Sequence, residues 1–135
     1  EEVLHLDRTV ALQCRDAGRC DMAGETMIFA QASRQAARWP NKVLRSQAPP
    51  FRVRYRDEPG QDSGGVYRDF LDTVADELMS AQLPVLTPSP NSRNDSGEHR
   101  DAFVLNPAID VSPGSPGRRM LRFLGQMMGV CLRRG

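Results

Sequence analysis

Lysine is almost absent from this chain: of its eighteen basic residues all but Lys42 are arginine. Net charge is scarce as well, at +1, because seventeen acidic residues nearly cancel the bases and read as interleaved with them. A nucleic-acid binder ordinarily shows a net basic face, so nucleic acid is not an expected partner, and the outward side of Arg52, Arg54 and Arg56 is the weak candidate for one. Cysteine is sparse too. Cys14, Cys20 and Cys131 form an odd set without repeated spacing, which argues against a disulfide framework and against a zinc site, and they read as reduced thiols. Long apolar runs are missing. The richest stretch, Met120 to Leu132, is too short and too closely flanked by arginine to cross a bilayer, and no N-terminal run joins a basic head to an apolar stretch. A soluble intracellular chain without membrane contact is expected.

What is present fits one core, either a single domain or a piece of a larger one, in 135 residues. The ten prolines and eleven glycines concentrate between Ala48 and Gly65 and between Pro84 and Gly117, which predicts ordered elements separated by long loops. In Thr9 to Cys14 the larger apolar side chains fall at every second position, the pattern of a half-buried strand around Val10, with Asp16-Ala17-Gly18 as the turn after it. From about Gly24 to Trp39, Ile28, Phe29, Ala32, Ala36 and Trp39 recur at helical steps, predicting an amphipathic helix over 24 to 38 that Pro40 stops. Phe51 to Arg56 alternates two aromatics and a valine with three arginines, a strand around Val53. Val66, Phe70, Val74 and Leu78 predict a helix over 65 to 80.

Beyond that helix, short strands are expected around Leu86 and Val104, paired across Asn91 to Asp101, a polar loop expected to be mobile. The last helix, 117 to 134, carries apolar side chains on most of its circumference and must be buried by something. Gly125 and Gly129 lie one turn apart on it, a spacing that lets another backbone approach. The class expected is therefore α+β, mainly helical with short strands or hairpins.

Several clusters invite a chemical reading. Gly60 to Gly65 precedes a helix, yet it has neither of the glycine spacings that shape phosphate cradles; a turn in which Asp62 or Ser63 caps the helix is the plainer reading. Ser96, His99 and Asp101 are the right types for a nucleophile, a base and an orienting acid, but catalysis needs them in hydrogen-bond contact, which closeness in a loop does not provide. Asn94-Asp95-Ser96 has the glycosylation pattern. Thr87, Ser89, Ser112 and Ser115 precede prolines and could receive phosphate in exposed loops, although plain proline-rich turns are the commoner reading. Asp57, Glu58 and Asp62 lack the alternation of a calcium loop and read as a solvated turn, one acid pairing with Arg54 or Arg68. Cys131 on an apolar helix reads as a small core side chain, with Arg133 and Arg134 as C-terminal cations.

Taken in order, these segments resemble the start of the HECT N-lobe of ubiquitin ligases. The resemblance is carried by Phe51 to Phe70, in which a strand leads through Glu58, Gly60 and Asp62 to Gly64-Gly65, Arg68 and Phe70. Glu77-Leu78, Pro88 to Asn91, Leu105-Asn106-Pro107, Arg122-Phe123-Leu124-Gly125 and Met128-Gly129 follow, and Phe29 to Gln35 precedes. The Asp95 to Asp101 loop is most similar to the very large HECT ligases with RCC1-like repeats. Asp57 stands where the family tends to have glycine. The resemblance implies a parent ligase that receives ubiquitin from a conjugating enzyme onto a cysteine and passes it to a substrate lysine in the cytoplasm. It also implies that residues 1–135 are an N-terminal portion of the N-lobe. The conjugating-enzyme-binding subdomain, the C-lobe and the catalytic cysteine are then expected beyond Gly135, and neither a cofactor nor a metal is implied. A protein-interaction module using the apolar last helix is the other reading.

Overall fold

The structure is a computed structural model that describes residues 2–21, 23–45, 51–58, 63–80, 82–90, 94, 97–98 and 102–134. Helix accounts for about 51% of the chain, with short strands in small sheets, so the expected mainly helical α+β class is the observed one. The described elements are β1 (Glu2–Leu6), α1 (Arg8–Asp16), α2 (Ile28–Ala36), α3 (Asn41–Arg45), β2 (Phe51–Tyr55), α4 (Ser63–Leu78), β3 (Leu86–Pro88), β4 (Phe103–Leu105) and α5 (Pro116–Arg134). Among the described residues no helix is long and apolar enough to cross a membrane.

The segment expected as a strand around Val10 is the helix α1 instead. Asp7, in extended conformation, is its N-cap, with its carboxylate accepting from the amides of Thr9 (2.9 Å) and Val10 (3.3 Å). Only Ala11 is fully buried, with Val10 and Cys14 half-buried beside it, a helical stripe that the alternation of larger side chains concealed. The true strand, β1, is the pentapeptide before the cap, where Leu4 and Leu6 are buried and His5 is exposed. It pairs in parallel with β2, from Glu2 opposite Phe51 to Leu6 opposite Tyr55. Parallel pairing requires a long crossover, and α1 to α3 supply it. β2 buries Phe51, Val53 and Tyr55 and exposes both arginines between them, as its alternation predicts.

α2 runs through the centre of the core with Ile28, Phe29, Ala30, Ala32, Ser33 and Ala36 buried. It is shorter than the expected 24 to 38, because residues 25–27 have their amides drawn to a carboxylate before the helix begins. Phe29 meets Phe123 of α5 with ring centroids 5.3 Å apart. Phe51 sits among Trp39, Phe70 and Tyr67 at 5.6, 5.7 and 5.4 Å. α4 starts two residues before the expected helix. β3 and β4 form the expected antiparallel pair, Leu86 opposite Leu105 and Pro88 opposite Phe103.

α5 opens with a cap absent from the sequence expectation: the Ser115 hydroxyl accepts from the Arg118 amide at 3.1 Å, and Pro116 occupies the first turn. Gly117 allows this start to lie against the preceding loop, since a Cβ there would stand 2.3 Å from the Asp110 carbonyl oxygen. Met120, Phe123, Met127 and Val130 are buried, while Met128 and Leu132 are 60% and 83% exposed. The expected burial therefore covers one stripe of α5 rather than most of its circumference.

Candidate functional site

Backbone amides before and within the first turn of a helix have no intrahelical partner. At α2 two buried carboxylates take them. Asp21, 4% exposed, accepts from Glu25 (3.0 Å), Thr26 (3.1 Å) and Met27 (2.9 Å). Glu77, 1% exposed and at the end of α4, accepts from Ile28 (2.9 Å) and Phe29 (2.7 Å). Burial pushes the Glu77 carboxyl above its ordinary value, and the two amides and Arg15 pull it back only in part, while Asp21 adds to the rise. Both acids point at positive ends of amide dipoles, which suits a helix N-terminus.

The same helix closes the free edge of β1. Gln35 accepts from the His5 amide at 2.9 Å and donates to the His5 carbonyl at 2.6 Å. Gln31 accepts from the Asp7 amide at 2.8 Å and donates to the Asp7 carbonyl at 3.0 Å. Among the described residues β2 is the one strand paired with β1, and these side-chain amides stand in for a second. On the other side Arg8 lies 3.7 Å from the centroid of the Tyr55 ring and pairs with Glu58 at 3.5 Å and with Asp69. Of the turn acids, Glu58 pairs with Arg8 and Asp57 lies 3.9 Å from Arg56, rather than either meeting Arg54 or Arg68, while Asp62 lies outside the described residues. Asp57 adopts φ 61°, the left-handed region that favours glycine.

The residues that carry the family resemblance do not meet at one place. Phe70 and Phe123 are core, Glu58 belongs to the Arg8 cluster, and Arg68 and Pro107 are exposed. The backbones of Gly64 and Gly65 lie in the first turn of α4, whereas Gly60 and Asp62 lie outside the described residues. Asn106 leaves β4 in a turn, accepting from the Ala108 amide at 3.0 Å and donating to the Pro84 carbonyl at 3.3 Å. Arg122, Gly125 and Gly129 face α3, where Arg122 donates to Asn41 and Arg133 to the Leu44 carbonyl. The glycines do not bring backbones into contact, because a Cβ at Gly125 would meet nothing within 4 Å.

No activated nucleophile emerges among the described residues. Cys14 donates weakly to the Arg19 carbonyl at 3.6 Å. Burial pushes the Cys20 thiol up, helped by Asp21 and Cys14, away from the thiolate form that reacts. Cys131 is exposed, not a core side chain. Ser96, His99, Asp101 and the cap candidate Asp62 lie outside the described residues, as does most of the Asn91 to Asp101 loop. Ser89 and Ser115 are buried rather than in exposed loops. Among the described residues no group of three His, Cys, Asp or Glu side chains is placed to hold a metal ion.

What the fold does offer are grooves. One of about 500 Å³ opens between the end of α4, the β3–β4 pair and the start of α5, lined by Leu83, Leu86, Phe103, Ile109 and Met120 with Cys20 at its side. Its chemistry is that of an apolar side-chain receptor. A second, of about 440 Å³, separates α3 from α5 and mixes polar side chains with Leu44 and the two glycines of α5.

Comparison with known proteins adds a direct likeness. The chain is 28% identical over 134 residues to the E3 ubiquitin-protein ligase HERC2 of Mus musculus, covering 98% of the chain and 3% of that protein. The Homo sapiens HERC2 gives the same identity and coverage. The probable E3 ubiquitin-protein ligase HECTD4 of Homo sapiens is 33% identical over 119 residues, 82% of the chain and 3% of that protein. No family model matches. No solved structure matches. The chain thus spans about 3% of the length of the curated relatives it matches, and over nearly its whole extent it is similar to a short segment of E3 ubiquitin-protein ligases.

Proposed function

We propose that the chain is the N-terminal portion of the N-lobe of a HECT-type ubiquitin ligase and serves there as structural scaffold. The carrying observation is the likeness over 98% of its residues to a protein named as an E3 ubiquitin-protein ligase. In this reading the parent, a cytoplasmic enzyme akin to the very large RCC1-repeat ligases, receives ubiquitin from a conjugating enzyme. It forms a thioester on a cysteine beyond Gly135 and passes the acyl group to a substrate lysine. The remainder of the N-lobe and the C-lobe are the chain's immediate partners.

The internal arrangement suits such a role. α2 is tied to β1, α4 and α5 by side-chain hydrogen bonds and a ring contact, and burial holds the Cys20 thiol away from its reactive form. The test is the parent protein incubated with ubiquitin, activating enzyme and a conjugating enzyme. A thiol-sensitive ubiquitin adduct that disappears when a cysteine beyond Gly135 is replaced is the expected result; a parent that forms no adduct overturns the reading. A second reading, a non-catalytic interaction module, draws on the exposure of Met128 and Leu132 at 60% and 83%. It gains first place if the adduct is absent and Leu132→Asp abolishes capture of a partner helix.

A further inference from the structure

Acidic residues are not spread evenly along the chain. Residues 26–56 and 111–135 contain none, yet they hold most of the eighteen basic residues. Folding brings these two acid-free stretches together, because α3 lies against α5. The groove of about 440 Å³ between them is lined by Arg45, Arg122 and Arg133, with Asn41, Gln126 and the two glycines of α5 among the rest. Arg122 donates to the neutral side chain of Asn41, and Arg133 to the carbonyl of Leu44. These bonds aim the guanidinium groups without neutralising them, and among the described residues no carboxylate pairs with any of the three arginines. Gly125 leaves the groove open, and at Gly129 a Cβ would stand 3.3 Å from an Arg133 nitrogen, so glycine there lets Arg133 fold across the floor.

The geometry points to this groove as a docking site for an acidic polypeptide segment, bound through carboxylate side chains. Guanidinium forks match carboxylates in two parallel hydrogen bonds. Arg122 and Arg133 are about 16 Å apart along α5 at 1.5 Å per residue, a span that about five extended residues cover. An acidic segment with carboxylates on one side therefore reaches both ends of the groove. Nucleic acid is the less fitting polyanion: no aromatic side chain lines the groove to stack a base, and the chain's net charge of only +1 gives little long-range attraction for a phosphate backbone. The inference stands independently of the ligase reading, since it rests on this groove alone.

The experiment is a titration of the isotope-labelled chain, at low salt, with an end-capped peptide of eight glutamates. Two controls run in parallel: an oligothymidylate of equal charge and an octalysine peptide. Saturable shifts at the amides of Gly125, Gly129 and Arg45 are expected, with affinity falling at least tenfold in Arg45→Glu. Gly125→Leu separates occlusion from unfolding, because it fills the open groove at a helix position where leucine is the better helix former. It is expected to keep the folded spectrum and lose peptide binding at least tenfold. Absence of shifts at the two glycines, undiminished binding by Gly125→Leu, equal binding of octalysine, or tighter binding of the oligothymidylate would each overturn the proposal.

Discussion

α2 and α5 meet where Phe29 faces Phe123, yet they are held by different means. α2 has nine residues, six of them buried, and the amides at its start are taken by Asp21 and Glu77 while its glutamines close the edge of β1. α5 has nineteen residues and is fixed by one apolar stripe, a serine cap and arginine contacts to α3. The contrast teaches that length is a poor guide to which helix organises a fold. A short helix becomes central when its unpaired backbone groups are satisfied by distant elements, because each buried donor left without a partner is costly. A long helix with one buried face leaves the other for charge and for partners.

Four substitutions probe that contrast, from the largest effect to the smallest. Phe29→Ala removes a fully buried ring from the meeting point and is expected to cost about 3–5 kcal/mol in urea unfolding. A loss under about 1 kcal/mol would deny α2 its central place. Glu77→Gln turns one of two acceptors into a donor facing an amide, for an expected cost of about 1–3 kcal/mol. Its pH dependence has a definite sign. The folded value of Glu77 lies above its ordinary 4.5, so the native state binds this proton more readily than the unfolded chain does. The stability linked to it is fully present below 4.5 and is lost as pH rises through the folded value. Unfolding curves across that window should show the gap between wild type and Glu77→Gln narrowing with rising pH.

Asp57→Gly relieves a left-handed residue and should add about 0.5 kcal/mol, read as a higher unfolding midpoint. Leu132→Ala lies on the open face of α5 and should change stability by less than about 0.5 kcal/mol. A larger loss would place that face against something within the fold.

The sequence was most readable where one periodicity dominates. The alternation of Phe51 to Tyr55, the four-residue steps of α4 and the apolar density of α5 all became the expected elements, and Leu86 and Val104 fell in paired strands. It was least readable where one side chain decides. Asp7 converts the alternation after it into α1, and a cap is a single hydrogen-bonding residue that six alternating positions outweigh in a pattern count. α3, with five residues, is too short to show a period. Glu77 is buried against α2 while Asp72 and Asp76 on the same helix are exposed, and Arg8 finds Glu58 and Asp69 across the fold, so both roles depend on distant elements. Asp57 stands at a positive φ, a backbone region in which glycine is the unstrained residue.

The most direct test of the scaffold assignment uses the parent protein with Cys14, Cys20 and Cys131 all replaced by serine. Undiminished formation of the thiol-sensitive ubiquitin adduct is the predicted result, because a scaffold's thiols take no part in the acyl transfer. Loss of the adduct in a protein that remains folded would contradict it and place the reacting thiol within this chain.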